Sequence, residues 1–330
     1  MPRNPDNNEI DLIISVVKKY YEIGMTQDQI AQEEYISKST VSRLIKKAAE
    51  SGIVSFQIHY PSDSIQNLES EFRRYYNMDN VVIAPTFTDN YDTRLKDTCR
   101  LAAMDICKLI RPDDILGVGW GLSMEQLTEI FSQEVSIREK CAKVVMLDGS
   151  IASEVSSTQS NFIIEKLADF FSAEGYLLPV PMIVDSKEIA EILKEDSHIK
   201  YVINYGKAAR IAVFSIGYAS NESVLRKRGA YSEMEYENIL SLGAVGDILG
   251  HCFDIKGQSV SKEIDKRIIG LDLELLKQKE HRIGIAVGEQ KSKAIIGALR
   301  GGLITGLYTD SATAKEVIRL TQLSVGTSIV

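Results

Sequence analysis

A glycine-rich stretch at residues 115–127, ILGVGWGLSMEQL, has the composition of a loop that could hold an anion. It begins as a buried strand, breaks at glycines and continues as a helix, for which Ser123 and Gln126 predict a capping box. The unpaired N–H groups of a helix start attract negative charge. A G-x-G-x-x-G dinucleotide motif is excluded, because Leu122 occupies the third glycine position and Trp120 would crowd a pyrophosphate. A purely structural tight turn remains the alternative.

Charged residues follow other predicted strands. Asp148 lies in MLDGS, Asp247 in GAVGDILGHCFD, and Glu289 and Lys291 in GEQKSKAIIGAL. Ligands of parallel sheets bind beyond the carboxyl ends of the strands, so these side chains are expected to converge there. Two carboxylates, a lysine, a hydroxyl and free N–H groups suit a small polyhydroxylated ligand, with or without a phosphate. Taken singly, Asp148 is better explained as a turn residue, Asp247 as a helix cap and Lys291 as a surface charge.

A basic segment near the N-terminus indicates a second site. Residues 37–47, SKSTVSRLIKK, carry four cations and no acid, whereas residues 22–34 carry four acids and no base. The segment predicts two helices joined by a tight turn, the first capped by Thr26 and the second by Ser37 or Ser39. An apolar stripe on the second helix consists of Val41, Leu44, Ile45 and Ala48, and a preceding helix would add Ile10, Ile13, Ile14, Val17, Tyr20 and Tyr21 to a three-helix core.

The spacing of Ala31, Ile36, Ser37, Val41 and Ile45 is typical of a helix-turn-helix. Its turn usually has Gly or Asn where this chain has Tyr35, and a bulky residue at positive φ is uncommon. Short hydroxyl side chains and cations left facing outward can approach base edges and phosphates, although a charge run can also be an ordinary solvated helix face. The candidate DNA-binding residues are Thr26, Gln27, Ser37, Lys38, Ser39, Thr40, Ser42, Arg43, Lys46 and Lys47.

Alternating elements predict the fold class: α/β, with a small all-α N-terminal domain followed by a doubly wound, mostly parallel sheet. Domains are expected at 1–56 (helix-turn-helix), 57–80 (a linker helix) and 81–330 (effector binding). Short apolar runs predict strands at 81–85, 115–119, 142–147, 211–217, 282–288 and 303–309. Helices are predicted at 95–110, 123–131, 160–172, 188–194, 233–241, 291–300 and 311–320.

Composition restricts the class of protein. The 330 residues carry a net charge of −8, which argues against indiscriminate coating of nucleic acid. No apolar run approaches the roughly 18 residues of a membrane span and the start lacks a signal peptide, so a cytoplasmic protein without membrane partners is expected. Neither the four cysteines nor the four histidines have metal-ligand spacing. We expect reduced thiols, no metal and no cofactor.

Five segments together resemble the SorC/DeoR family of bacterial sugar-responsive transcriptional regulators. They are MTQDQIAQEEYISKSTVSRLIKKAAESGIV, GVGWGLSMEQL, VVMLDGS, GAVGDILGHCFDIKG and GEQKSKAIIGALRGGLITGLYTDSATA, and they span nearly the whole chain in order. The resemblance implies operator DNA as a partner, an effector domain similar in fold to sugar-phosphate isomerases, a carbohydrate effector that is often phosphorylated, and a homo-oligomer, dimer or tetramer. By motif, the effector site comprises Gly119, Gly121, Leu122, Ser123, Asp148, Gly149, Asp247, Gly288, Glu289 and Lys291.

This chain departs from the family pattern at two positions. Relatives often carry two hydroxyl residues where it has Leu122 and Ser123, so one phosphate donor is missing. Some relatives have Asn, and one branch a Schiff-base lysine, where it has Asp148. An aspartate cannot form an imine, and an ionised one would repel a phosphate while accepting hydrogen bonds from hydroxyls. We therefore expect non-covalent effector binding.

An enzyme is the alternative from another functional class. Asp148, Asp247 and Lys291 could act as acid and base in a sugar-phosphate isomerase with an appended DNA-binding domain. Against this, no histidine lies in the proposed site loops, and no nucleophile–base pair is evident. Regulation by a bound sugar is the favoured interpretation, and the sequence does not specify repression or activation.

Overall fold

The computed structural model describes residues 5–54, 63–135, 140–151 and 156–326. The chain divides into two compact units, Met1–Pro61 and Ser62–Val330. The smaller unit contains helix α1 (Pro5–Val17), a π-helical turn (Lys18–Glu22), helix α2 (Gln27–Glu33) and helix α3 (Lys38–Glu50).

The smaller unit buries one apolar cluster between its three helices. The predicted stripe of α3 supplies Val41, Leu44 and Ala48, which are buried, while Ile45 is half-buried against them. Three residues expected in this core, Ile10, Ile14 and Tyr21, are instead exposed on the unit, and that expectation was wrong. The inward face of α1 passes through Ile13, Val16 and Val17, because residues three and four apart share a helix face.

The larger unit is built on a seven-stranded parallel sheet in the order β1-β10-β9-β5-β2-β3-β4. Its strands are β1 (Val81–Ala84), β2 (Ile115–Val118), β3 (Lys143–Met146), β4 (Glu174–Tyr176), β5 (Ile211–Ser215), β9 (His281–Ile285) and β10 (Gly306–Asp310). A three-stranded antiparallel sheet adds β6 (Gly217–Tyr218), β7 (Gly246–Ile248) and β8 (His251–Phe253). The predicted fold class, with its mostly parallel sheet, is confirmed.

Helices connect the strands. They are α4 (Asp63–Tyr76), α5 (Tyr91–Leu109), α6 (Leu122–Gln133), α7 (Ser156–Phe170), α8 (Lys187–Glu195), α9 (Ser197–Ala208), α10 (Val224–Lys227), α11 (Glu233–Ser241), α12 (Lys262–Asp265), α13 (Leu273–Lys277), α14 (Ser292–Arg300) and α15 (Ser311–Gly326). Strands β2, β3, β5 and β10 are almost fully buried, as expected for a parallel sheet covered on both faces.

Helix α4 lies within the segment predicted as a linker, 57–80, but it packs as part of the larger unit. Phe72 is fully buried in the main core, and Ile65, Leu68 and Tyr76 pack against the same cluster. The apolar stripe of this helix is therefore covered by its own chain. The part of the predicted linker at 57–62 lies outside the described residues.

Candidate functional site

Helix α3 of the smaller unit presents a polar face built from most of the predicted DNA-binding residues. Ser39, Ser42, Arg43, Lys46 and Lys47 are exposed, and Thr40 is half-exposed. Surface pairs involve three cations of this helix: Lys38 with Asp28 at 2.8 Å, Lys46 with Glu50 at 3.6 Å, and Lys47 with Glu9 at 2.6 Å. Exposed pairs of this kind contribute little to stability, so the cations remain available to phosphates.

Three further candidates, Thr26, Gln27 and Ser37, lie at the starts of α2 and α3. The Gln29 amide N–H donates to Thr26 Oγ1 at 3.3 Å while Gln29 Oε1 accepts from the Thr26 amide at 2.8 Å, which closes a capping box before α2. Gln27 is the first residue of α2. Ser37, and not Ser39, caps α3 by accepting from the Thr40 amide at 3.1 Å.

The turn between α2 and α3 contains the unusual residue that the sequence places there. Tyr35 adopts a left-handed backbone with φ of 56° and is 95% exposed. A side chain in this conformation costs roughly 1–2 kcal/mol relative to glycine. At this position the turn thus has the left-handed backbone that glycine or asparagine usually supplies, despite its bulky residue.

In the larger unit, a cavity of about 450 Å³ opens at the carboxyl end of the central sheet. The chain runs from β2 to β3 and β4 on one side, and then crosses to β5, β9 and β10 on the other. Ligands of open α/β sheets bind where the strand order reverses in this way. The volume falls within the range of about 300–1,000 Å³ that is typical of small-molecule sites.

We define the cavity by the residues that line it, which come from loops after β2, β3, β5 and β9 and from the antiparallel sheet. Of the predicted effector residues, it brings together Gly121, Leu122, Ser123, Asp148, Asp247 and Lys291. The other lining residues were not among the predicted effector residues; they are Tyr91, Trp120, Phe214, Ser215, Ile216, Gly217, Tyr218, Glu222, Ser223, Val224, Leu225, Lys227, Leu249, Gly250 and Gln290.

Four predicted residues do not line the cavity. A Cβ at Gly119 would lie 2.8 Å from Leu249 Cδ2, and one at Gly149 would lie 2.6 Å from the Val180 carbonyl oxygen, so both glycines allow close packing. The Gly288 amide donates to Thr313 Oγ1 at 2.8 Å. Glu289 pairs with Arg94, and its neighbour Gln290 lines the cavity instead.

The glycine loop ends in a helix start that differs from the predicted one. Gly121, with φ of 128°, is the N-cap of α6, and no side chain caps this helix. Ser123 therefore lies inside the first turn, and the predicted Ser123–Gln126 capping box was wrong. Because a glycine N-cap supplies no acceptor, the first amides of α6 can serve an anionic or hydroxyl ligand group.

The turn that carries Lys291 (Glu289–Lys291, a 3-10 helix) is held from behind by buried polar groups. Arg94 Nη2 donates to Glu289 Oε2 at 2.9 Å and to Asp310 Oδ1 at 2.8 Å. Asp310 also accepts from the Thr313 amide at 3.0 Å, and charge-assisted bonds of this kind are the strong ones. Glu289 thus acts behind the cavity wall and not within it.

Lys291 and Asp247 are oppositely charged residues of the cavity lining. Lys291 is 8% exposed, and burial lowers its pKa to about 8 against the attraction of Asp247. Burial raises the pKa of Asp247 to about 7, while Lys291 and His251 act in the opposite direction. A Cβ at Gly217 would overlap the Asp247 carboxylate, so glycine is required for this placement.

Asp148 is the second acid of the cavity. It is 2% exposed, and burial raises its pKa well above the usual range, with the charge of Asp247 adding to the rise. Its Oδ1 has no hydrogen-bond partner among the described residues. Ser215 Oγ on the same wall is also buried without a partner within the described part of the chain.

The described residues contain no cluster of three or more His, Cys, Asp or Glu that could hold a metal ion. None of the described helices has the length and apolar character to span a bilayer.

The chain was also compared with known proteins. Residues 61–319 match the family model described as "Putative sugar-binding domain". The chain is 33% identical to the deoxyribonucleoside regulator of Bacillus subtilis (strain 168) over 95% of its length and 99% of that protein. It is 28% identical to the sorbitol operon regulator of Klebsiella pneumoniae, again over 95% of this chain and 99% of the relative.

Solved structures that resemble this chain also include transcriptional regulators. The crystal structure of the full-length sorbitol operon regulator SorC from Klebsiella pneumoniae superposes with a TM-score of 0.75 at 26% identity, covering 96% of this chain and 100% of that one. A domain described as that of "a possible sugar-binding transcriptional regulator from Arthrobacter aurescens TC1" superposes with a TM-score of 0.70 at 25% identity, covering 79% of this chain and all of that one. The sequence motifs, the α/β fold and these similarities together establish that the chain belongs to the SorC/DeoR family of sugar-binding transcriptional regulators.

Proposed function

We propose that the protein binds operator DNA through the polar face of α3 and that a carbohydrate in the cavity controls this binding. The proposal rests on the cavity of the larger unit. There, Asp148, Asp247 and Lys291 converge at the point where the strand order of the sheet reverses. The regulatory names of the relatives support a transcriptional role.

On the DNA side, we propose that α3 enters the major groove. Hydroxyl side chains near its start, Ser39, Thr40 and Ser42, suit close approach to base edges, while Arg43, Lys46 and Lys47 suit phosphates. A helix-turn-helix protein that acts as a dimer or a tetramer binds half-sites about one helical turn apart, so we expect a partly palindromic operator.

On the effector side, we propose a sugar, a polyol or a sugar phosphate. The deoxyribonucleoside and sorbitol systems named for the relatives suggest 2-deoxyribose, sorbitol and their terminal phosphates as the first compounds to test. The lining combines apolar and aromatic surface, such as Trp120 and Phe214, with a few charged groups, as expected for a polyhydroxylated ligand. A ligand controls DNA binding only if it favours one arrangement of the protein over another.

We propose that the effector binds without a covalent bond and is not turned over. Asp148 stands where one branch of the family has an imine-forming lysine, and the charge of Asp247 favours the protonated, non-nucleophilic form of Lys291. Incubation with 2-deoxyribose 5-phosphate and sodium borohydride should leave the protein mass unchanged. A trapped adduct would contradict non-covalent binding. Turnover of sugar phosphates would favour the isomerase alternative.

The experiment that tests the proposal combines two measurements on the full chain. A thermal-shift screen of sugars, polyols and their phosphates should show one chemical class that raises the melting temperature, because a ligand of the native state stabilises it. Gel shifts with the promoter region next to the gene should then change when that compound is added. A chain that binds neither DNA nor any compound of the screen would refute the proposal.

A further inference from the structure

The surroundings of Asp148 leave one of its carboxyl oxygens without a hydrogen bond from the described residues. The residue follows β3, and its backbone forms a bridge with Gly270, so the chain fixes it at the cavity wall. Its Oδ1 is buried and has no hydrogen-bond partner among the described residues. Buried polar atoms are almost always paired, so an unpaired carboxyl oxygen in a residue that lines a cavity calls for a partner from outside the protein, a ligand or a water molecule.

The charges around the cavity do not favour a second carboxylate. Lys227 is paired with Glu222 at 2.5 Å, so these two lining charges cancel. Of the other charged groups in the described lining, Lys291 balances Asp247, and an ionised Asp148 would be a surplus negative charge. The other titratable and charged groups that line the cavity are Asp247, Lys291, Glu222, Lys227 and the phenols of Tyr91 and Tyr218. Of these, Asp247 acts on Asp148, and His251 acts on Asp247 from β8.

The balance of solvation and hydrogen bonding agrees with this charge count. Burial is the largest influence on the pKa of Asp148 and raises it, and the negative charge of Asp247 raises it further. The backbone amides of Asp148 and Trp120 favour the ionised form but do not outweigh burial. Two carboxyl groups sharing an enclosed site ionise with difficulty, so one of them retains its proton.

We propose that Asp148 faces the cavity as a neutral carboxylic acid and donates a hydrogen bond through Oδ1 to an acceptor oxygen of the effector. This inference rests on the proposed function of the cavity as the effector site. It makes Asp148 a specificity-determining residue that favours hydroxyl, carbonyl or phosphate oxygens over ammonium groups. It also removes the repulsion toward a phosphate that an ionised aspartate would exert.

Infrared difference spectroscopy tests the protonation state without any ligand. The spectrum of the full-length wild type minus that of Asp148→Asn at about pH 8, where Asp247 with its pKa of about 7 is mostly ionised, should contain the carbonyl stretch of a protonated carboxylic acid. The matched control is Asp92→Asn, because Asp92 is an exposed aspartate in the first turn of α5. Its difference spectrum should show only carboxylate bands. Carboxylate bands alone for Asp148→Asn would overturn the inference, whatever the protein binds.

Binding of sorbitol 6-phosphate and 2-deoxyribose 5-phosphate at pH 7 tests the donor role. Asparagine is also neutral and has an N–H donor, so Asp148→Asn should bind within about threefold of the wild type, and Asp148→Ala about tenfold more weakly, the loss of one hydrogen bond. A tenfold loss in Asp148→Asn would overturn the donor role. If the acid band is present and neither these probes nor any compound of the screen binds, the proposed function fails while Asp148 remains a neutral acid.

Discussion

Helix α3 and the cavity both use charged side chains, but in opposite environments. Arg43, Lys46 and Lys47 are exposed to solvent, whereas Lys291 and Asp148 are 8% and 2% exposed. Exposed cations act through their number and spacing, and salt screens them. Buried groups act through altered pKa values and through specific pairing, which salt affects far less. Charged side chains are therefore suited to attracting phosphates without regard to base sequence in the smaller unit, and to distinguishing between small ligands in the larger one.

Replacement of Lys291 by methionine tests the buried side of this comparison and should have the largest effect. It removes the cation that balances Asp247, so affinity for the phosphorylated probes should fall about 100-fold, the upper range for a charged hydrogen bond. Calorimetric titration measures this. The matched control is Lys293→Met, since Lys293 is exposed two residues away, and it should bind like the wild type. Equal losses in both variants would contradict a specific role for Lys291.

The pH dependence of stability separates the two environments further. Burial raises the folded-state pKa of Asp148, so its contribution to stability is present below the unfolded pKa and is lost as pH rises toward the folded value. Asp148→Asn has no proton to lose. The free energy of unfolding of this variant relative to that of the wild type, measured by chemical denaturation, should rise between pH 5 and pH 7, by at most about 1.4 kcal/mol per pH unit. A constant difference would show that Asp148 is ionised throughout.

Loss of one exposed cation should have a smaller effect on DNA binding. Arg43→Ala is expected to weaken operator binding about tenfold and to reduce the salt slope by about 1. The control is Lys18→Ala, which removes one exposed positive charge from the same unit but not from α3. Its gel shifts should match the wild type, and effector binding should be unchanged in both variants. A loss of sugar affinity in Arg43→Ala would contradict separate sites.

The smallest expected effect concerns the turn before α3. Tyr35→Gly removes the cost of a left-handed side chain, partly offset by the greater chain entropy of glycine, so we expect a net gain of up to about 1 kcal/mol. Tyr35→Phe retains the Cβ and should leave stability unchanged. Chemical denaturation of the full chain, followed by a probe in α3, measures both. A loss of stability in the glycine variant would show that the tyrosine ring makes a favourable contact.

The sequence predicts the larger part of the fold because short apolar runs indicate buried strands and periodic apolar residues indicate helices. The strands of the parallel sheet were recognisable as short apolar runs, except for β4, which has three residues and two exposed positions. The antiparallel sheet was missed as well. Its turn is Leu249–Gly250, and both residues have positive φ, as in a two-residue hairpin. Leucine at the first turn position conceals this signal, because asparagine or glycine is usual there.

The candidate site was predictable in position but not in chemistry. Strand ends identified the loops of Ser123, Asp148 and Lys291, and these residues do lie together at the cavity. The sequence could not show that Lys291 is buried or that Asp148 is shielded from water, since burial depends on contacts made by distant segments. It also could not separate Glu289 from Gln290, whose side chains point to opposite sides of one turn because Arg94 holds the former.

The hydrogen bonds behind the turn of Lys291 have a consequence for binding thermodynamics. Glu289 accepts a hydrogen bond from Arg94, and the Gly288 amide donates one to Thr313, so this turn is ordered before a ligand binds. Pre-organisation of this kind spares the complex the entropy of freezing a loop, so affinity depends mainly on what the guest itself contributes. Small differences in contact energy between related ligands then appear almost in full as differences in the occupancy of the cavity.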